Sequence, residues 1–122
     1  MPSYGETKTV VTKKSKSQIQ SQIGVLGIIT DEVIADAIKF LSGAALISAK
    51  ATLGASVLGV TVTTGILVGL KEERSKLKGY LEAIKKNKAK GIVVKVPYQY
   101  RYMNGSGTGW YIVGRVTVST YN

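Results

Sequence analysis

The stretch from Ala51 to Leu70, ATLGASVLGVTVTTGILVGL, carries no charged residue and decides how the rest of the chain is read. As a continuous helix it would extend about 30 Å, the thickness of a bilayer's hydrocarbon core. Gly54, Gly59, Gly65 and Gly69 interrupt it, and a glycine inside a helix costs up to about 1 kcal/mol relative to alanine. Close packing is the candidate that offsets this cost. Ala51, Ala55, Gly59 and Thr63 recur every four residues, and Gly65 and Gly69 frame a G-x-x-x-G. Such spacing lets two helix backbones approach each other, so these six residues are the candidate helix-packing surface. The β-branched Val57, Val60 and Val62 support a rival reading as buried strands.

Working outward toward the N-terminus, residues 23–50 read as a helix. Val33, Ile34, Ala37, Ile38, Leu41, Ala44 and Ala45 form one apolar stripe at three- and four-residue spacing. Thr30 is the expected N-cap, followed by Asp31 and Glu32 where carboxylates favour the helix dipole. The run Ile23–Ile29 is apolar all round and either extends that helix or forms a second element. Residues 1–22 read as a basic polar arm, in which Thr7–Thr12 has the composition of a short edge strand.

Toward the C-terminus, residues 71–90 read as a basic amphipathic helix with Leu77, Tyr80, Leu81 and Ile84 inward. Glu72 with Lys76 and Glu82 with Lys86 are spaced as i,i+4 ion pairs, and Gly91 is the expected C-cap. Residues 92–122 alternate as a β-hairpin. Ile92, Val94, Val96, Tyr98, Tyr100 and Tyr102 lie on one face, Asn104–Gly109 turns, and Trp110–Tyr121 returns. Pro97 lacks a backbone donor and predicts a sheet edge there. The expected fold is therefore α+β, with residues 23–122 as one domain: Gly/Ala-rich apolar helices in a helical hairpin, then the basic helix and the hairpin.

Chemistry is sparse. The chain has 122 residues with no cysteine and no histidine, which removes disulfides, thiolate ligands and the commonest general base. Gly105-x-Gly107-x-Gly109 lacks the Lys-Ser/Thr of a phosphate-binding loop and is explained by the turn. Helix electrostatics accounts for Asp31, Glu32 and Asp36, and ion pairing for Glu72 and Glu73. No catalytic residue, cofactor or metal ligand is expected, and the reading is of a protein that is not an enzyme.

Charge points to a partner. Seventeen Lys/Arg against seven Asp/Glu give a formal +10, a balance that suits nucleic acid or anionic lipid, or that simply maintains solubility. Lys13, Lys14 and Lys16 in the arm and Lys78, Lys85, Lys86, Lys88 and Lys90 in the basic helix are the candidate anion-binding residues. Tyr98, Tyr100, Tyr102 and Trp110 are candidate aromatic contacts for bases or an interface, although a same-face tyrosine row is more often core. No secretory signal is apparent, since the first apolar run follows a polar segment.

Together these features favour a self-assembling structural subunit of the viral coat or filament kind, with itself as partner and its basic surfaces toward nucleic acid or anionic lipid. A cationic membrane-permeabilising protein and a single-span membrane-anchored protein are the alternatives. The expected setting is an extracellular assembly, a virion or a membrane.

Overall fold

A computed structural model describes residues 2–54, 57, 59–103, 105 and 107–122. The chain is α+β, with four helices and an antiparallel four-stranded sheet. Their order is β1 (Thr7–Ser15), α1 (Lys16–Ile23), α2 (Asp31–Leu53), α3 (Gly59–Glu72), α4 (Arg74–Lys85), β2 (Gly91–Met103), β3 (Gly107–Ile112) and β4 (Thr117–Tyr121).

At the N-terminus the edge strand expected at Thr7–Thr12 is present and longer, and no free arm remains over it: β1 pairs along its whole length with β2, from Thr7 opposite Gln99 to Ser15 opposite Gly91. Val10 and Thr12 are buried while Thr9, Val11 and Lys13 are exposed, a period of two that puts one face on the core. Ser15 ends the strand and starts α1: its hydroxyl accepts from Gln18 N–H while the Gln18 side chain accepts from Ser15 N–H, a reciprocal capping box. Ile19 of α1 is fully buried.

The apolar run before α2 neither extends that helix nor forms another. Gly24, at φ 92°, closes α1, and Leu26 and Ile29 turn inward while Val25 and Ile28 stay exposed. Thr30 caps α2 as expected, its hydroxyl accepting from Val33 N–H at 3.2 Å.

The segment 51–70 is not one helix. Ala51–Leu53 finish α2, Gly54 leaves it at φ 83°, and α3 begins at Gly59. The strand alternative fails as well, since Val60 and Val62 are helical, and among the described residues of this segment the bridging is a single isolated one from Val57 to Trp110. The fourteen residues of α3 amount to about 21 Å. Among the described residues no helix is long and apolar enough to cross a membrane.

The basic segment divides similarly. Helix α3 continues to Glu72, Glu73 turns the chain, and α4 ends at Lys85. Its closing residue in the left-handed region is Asn87, at φ 59°, with Lys88 N–H bonded back to Ala83 C=O at 2.9 Å. Gly91 is instead the first residue of β2, where an added Cβ would strike the Lys14 carbonyl and approach the Tyr121 ring to 2.7 Å. Lys76 pairs with Glu73 at 3.4 Å rather than with Glu72.

The C-terminal hairpin is an interrupted one. Strand β2 is central, with β1 along one edge and both β3 and β4 along the other. Pro97 thus lies inside the sheet, opposite Thr9. Its carbonyl accepts from Val113 N–H at 2.9 Å, so its main chain faces the break between β3 and β4. A missing donor is tolerated there because no strand runs past it. By the two-residue ladder period, Thr9, Val11 and Lys13 turn their main-chain groups to the free edge of β1. Gly105 and Gly107 both have φ 84°, as a tight turn requires, whereas Asn104 and Ser106 of the expected turn lie outside the described residues.

The core lies between the even-numbered face of the sheet (Val10, Ile92, Val94, Val96, Tyr98, Trp110, Val118) and the helices (Ile34, Ile38, Leu41, Ile66, Leu70, Leu77, Leu81). At the junction of α3 and α4, the buried Glu73 carboxylate meets Lys76 and, at 3.8 Å, Arg115 from the β3–β4 connection. An exposed Arg74–Asp31 contact of 2.9 Å joins the starts of α4 and α2, a pair worth about 0–1 kcal/mol.

Candidate anion-binding site

Strand pairing brings the two lysine clusters together. With Ser15 opposite Gly91, the next residues continue the ladder, and Lys16 N–H donates to Lys90 C=O at 3.0 Å. Lys13 and Lys14 then lie opposite Val93 and Ile92, beside the turn that carries Lys86, Lys88 and Lys90. The Lys16 amine donates to Lys85 C=O at 3.3 Å and to Asn87 Oδ1 at 3.1 Å, tying the start of α1 to the end of α4. It acts as a clamp on the turn, not as an open anion contact.

Lys13, Lys86, Lys88 and Lys90 are exposed, and Lys14 and Lys85 are half-buried. Lys78 is exposed two turns earlier on α4, on the same side as Lys85. Glu82, one turn from both Lys78 and Lys86, is the acidic residue of this helix face. Lys13 also lies over the Tyr121 ring, 5.5 Å from its centroid, and the ring covers Gly91. Tyr121 was not singled out in the sequence; the glycine directly across the ladder from it was the available signal.

The aromatic candidates separate. Tyr98 and Trp110 are buried, and Tyr100 is buried between a stacked Tyr4 at 5.7 Å and an edge-on Trp110 at 5.4 Å. Only Tyr102, 61% exposed, offers a free ring. Burial also pushes the Tyr98 phenol up to about 12, because the charged form loses its hydration, and the hydroxyl has no hydrogen-bond partner. Tyr98 and Tyr100 of the row are therefore core, as expected of a same-face row, and Tyr102 at its end is not.

The small-residue candidates disperse. An added Cβ on Gly65 would stand 2.7 Å from Ile112 Cδ1, and one on Gly69 would stand 2.6 Å from Val116 Cβ. The G-x-x-x-G therefore seats α3 on residues at and just beyond the end of β3 in its own chain, in place of the expected second helix. Ala51 and Thr63 are exposed, Gly59 opens α3, and Ala55 lies outside the described residues.

The site is thus a lysine-rich end assembled from β1, the start of α1 and the α4–β2 turn. Its exposed ammonium groups can neutralise closely spaced anionic charges. Among the described residues no group of three or more carboxylates gathers to hold a metal ion. No family model, curated protein or solved structure matches this chain.

Proposed function

We propose that this protein is a non-catalytic structural subunit that binds a polyanion, nucleic acid or an anionic lipid surface, through its lysine-rich end. The observation that carries the reading is the junction at Lys16 and Lys90, which brings residues 13–16 and 85–90 together. A solvated surface explains each cluster separately; it does not explain their meeting at one end. In this reading α2 and α3, taken as an apolar helical hairpin, form the scaffold behind the sheet.

The test is binding of duplex DNA, and separately of phosphatidylglycerol vesicles, across about 50–200 mM salt. Four phosphate contacts would give a slope of log K against log salt near about −3.6 for DNA. Each basic residue near an anionic surface contributes about 1 kcal/mol, so reversing Lys86, Lys88 and Lys90 to Glu should cost at least about a hundredfold in affinity. Affinity indifferent to salt and to this reversal on both probes refutes the proposal.

Self-assembly, the second reading, is favoured by the free edge of β1, where Val11 is half exposed and no described strand pairs. An open edge can accept a strand from another copy. Val11→Pro removes an outward-facing donor, so any assembly through this edge should dissociate while the monomer stays folded. Particles of unchanged size in sedimentation would rule that route out.

A further inference from the structure

One side of the long helix α2 is only partly covered: Ala44 is buried and Phe40 half-buried, while Gly43 and Ile47 are exposed. Phe40, Gly43, Ala44 and Ile47 follow one another along one side of the helix, and Ile47 is 71% exposed. They floor a groove of about 400 Å³, closed on one flank by Lys14 of β1 and Gln22 of α1 and bordered by Lys39 and Ser48. A volume of this size falls within the range of small-molecule sites. Both cations stand at an apolar floor, and among the described residues neither pairs with a carboxylate. A second hollow adjoins it through Gln22, Lys39 and Phe40 and reaches Asp36, one turn before Lys39 on α2, whose charge offsets part of that lysine's attraction for an anion.

Gly43 is the second observation. A glycine in the middle of a helix weakens it, and on α3 each such glycine is answered by a neighbouring side chain. At Gly43 nothing lies within 4 Å of where a Cβ would be. The same holds at Gly79 of α4; what sets Gly43 apart is that it lines the groove, where a larger residue would fill the floor.

We infer that this groove binds a single-chain anionic amphiphile, with its headgroup between Lys14 and Lys39 and its tail along Phe40, Gly43, Ala44 and Ile47. The charge placement selects the occupant. An apolar floor alone would accept any hydrophobic partner, whereas two unpaired ammonium groups beside it match one negative head on an acyl chain. The groove is concave and flanked by three elements, which suits one chain laid lengthwise better than a flat bilayer. The inference shares only Lys14 with the lysine-rich end and does not rest on polyanion binding there.

The experiment is calorimetric titration of the full chain with sodium dodecanoate below its micelle concentration, with backbone amide shifts recorded in parallel. The expected result is saturable one-to-one binding, with the largest shifts at Lys39, Gly43 and Ile47. Gly43→Leu adds bulk to open space in a helix, so its melting temperature should be unchanged or higher while affinity falls at least tenfold. Lys14→Glu with Lys39→Glu should weaken dodecanoate at least tenfold and leave uncharged dodecanol little changed. Reversing Lys86, Lys88 and Lys90 should leave dodecanoate binding intact, which separates this site from the polyanion site. No binding, equal affinity for dodecanoate and dodecanol, shifts centred away from α2, or full affinity in Gly43→Leu would each overturn the inference.

Discussion

Helices α2 and α3 both carry glycine on an apolar background, yet the two glycine sites stand in opposite situations. On α3, Gly65 and Gly69 are close-approach positions: Ile112 and Val116 occupy the space their side chains would need. On α2, Gly43 faces open space. Composition and spacing are blind to this difference, because a glycine that admits a neighbour and one that leaves a hollow look the same in sequence. A small-residue motif specifies closeness, and only the surroundings specify what is close.

The largest effect is expected at Gly69. A leucine there collides with Val116 at its Cβ, an atom that cannot swing aside, and should destabilise by about 3 kcal/mol or more in urea unfolding. Wild-type stability in Gly69→Leu would mean that α3 does not sit against the β3–β4 connection.

Next in size is an alkaline effect from Tyr98, the cross-strand neighbour of the Ile112 that fills the Gly65 hollow. Its phenol stays neutral in the folded protein up to about 12 but ionises near 10 when unfolded. The unfolded state therefore binds fewer protons above pH 10, so stability falls with rising pH, by about 2–3 kcal/mol once pH passes 12. Tyr98→Phe should remove this part of the pH dependence. It should also be neutral or slightly stabilising at pH 7, since the lost hydroxyl has no partner. A strong loss of stability in Tyr98→Phe at neutral pH would contradict the buried, unpaired hydroxyl.

Gly65→Ala sharpens the contrast within α3. Its nearest obstacle is the mobile end of the Ile112 side chain, so the cost should be about 1 kcal/mol, well below that at Gly69. The smallest effect has the opposite sign: Gly43→Ala should raise stability by about 0.5–1 kcal/mol, through helix propensity alone. Thermal melts of the two alanine variants side by side would show whether the two glycines differ as described.

Much of the fold was legible locally. The Thr30 cap, the inward stripe of α2, the buried face of α4 and the alternation of β2 follow from spacing and from hydrogen bonds closed within a few residues. What failed were boundaries that depend on distant partners. Gly54 ends α2 in the middle of an apolar run, and Val57 reaches across to Trp110. The local stop signal, Gly54 after Lys50 in the last turn, is masked because hydropathy does not change there. In residues 1–22 the strand composition of Thr7–Thr12 was legible, whereas its extension to Ser15 and its pairing were not, since Val10 and Thr12 show a buried face only with β2 beside them. For the candidate site, the lysines were visible as two clusters, while their meeting was invisible. The open groove along α2 was missed, although Lys39, Phe40, Gly43 and Ile47 share one helical face by spacing.

Residue order alone carries the α+β class, the strong positive charge and the alternation that makes each strand two-faced. These are properties of composition and short-range period, fixed before any two distant segments meet. Tertiary structure alone decided that β1 lies against β2, that the lysines of residues 13–16 and 85–90 share one end, and which glycines are filled. Those outcomes depend on register and on complementary shape between segments far apart in the chain, where a side chain's neighbour is set by packing and not by its place in the sequence.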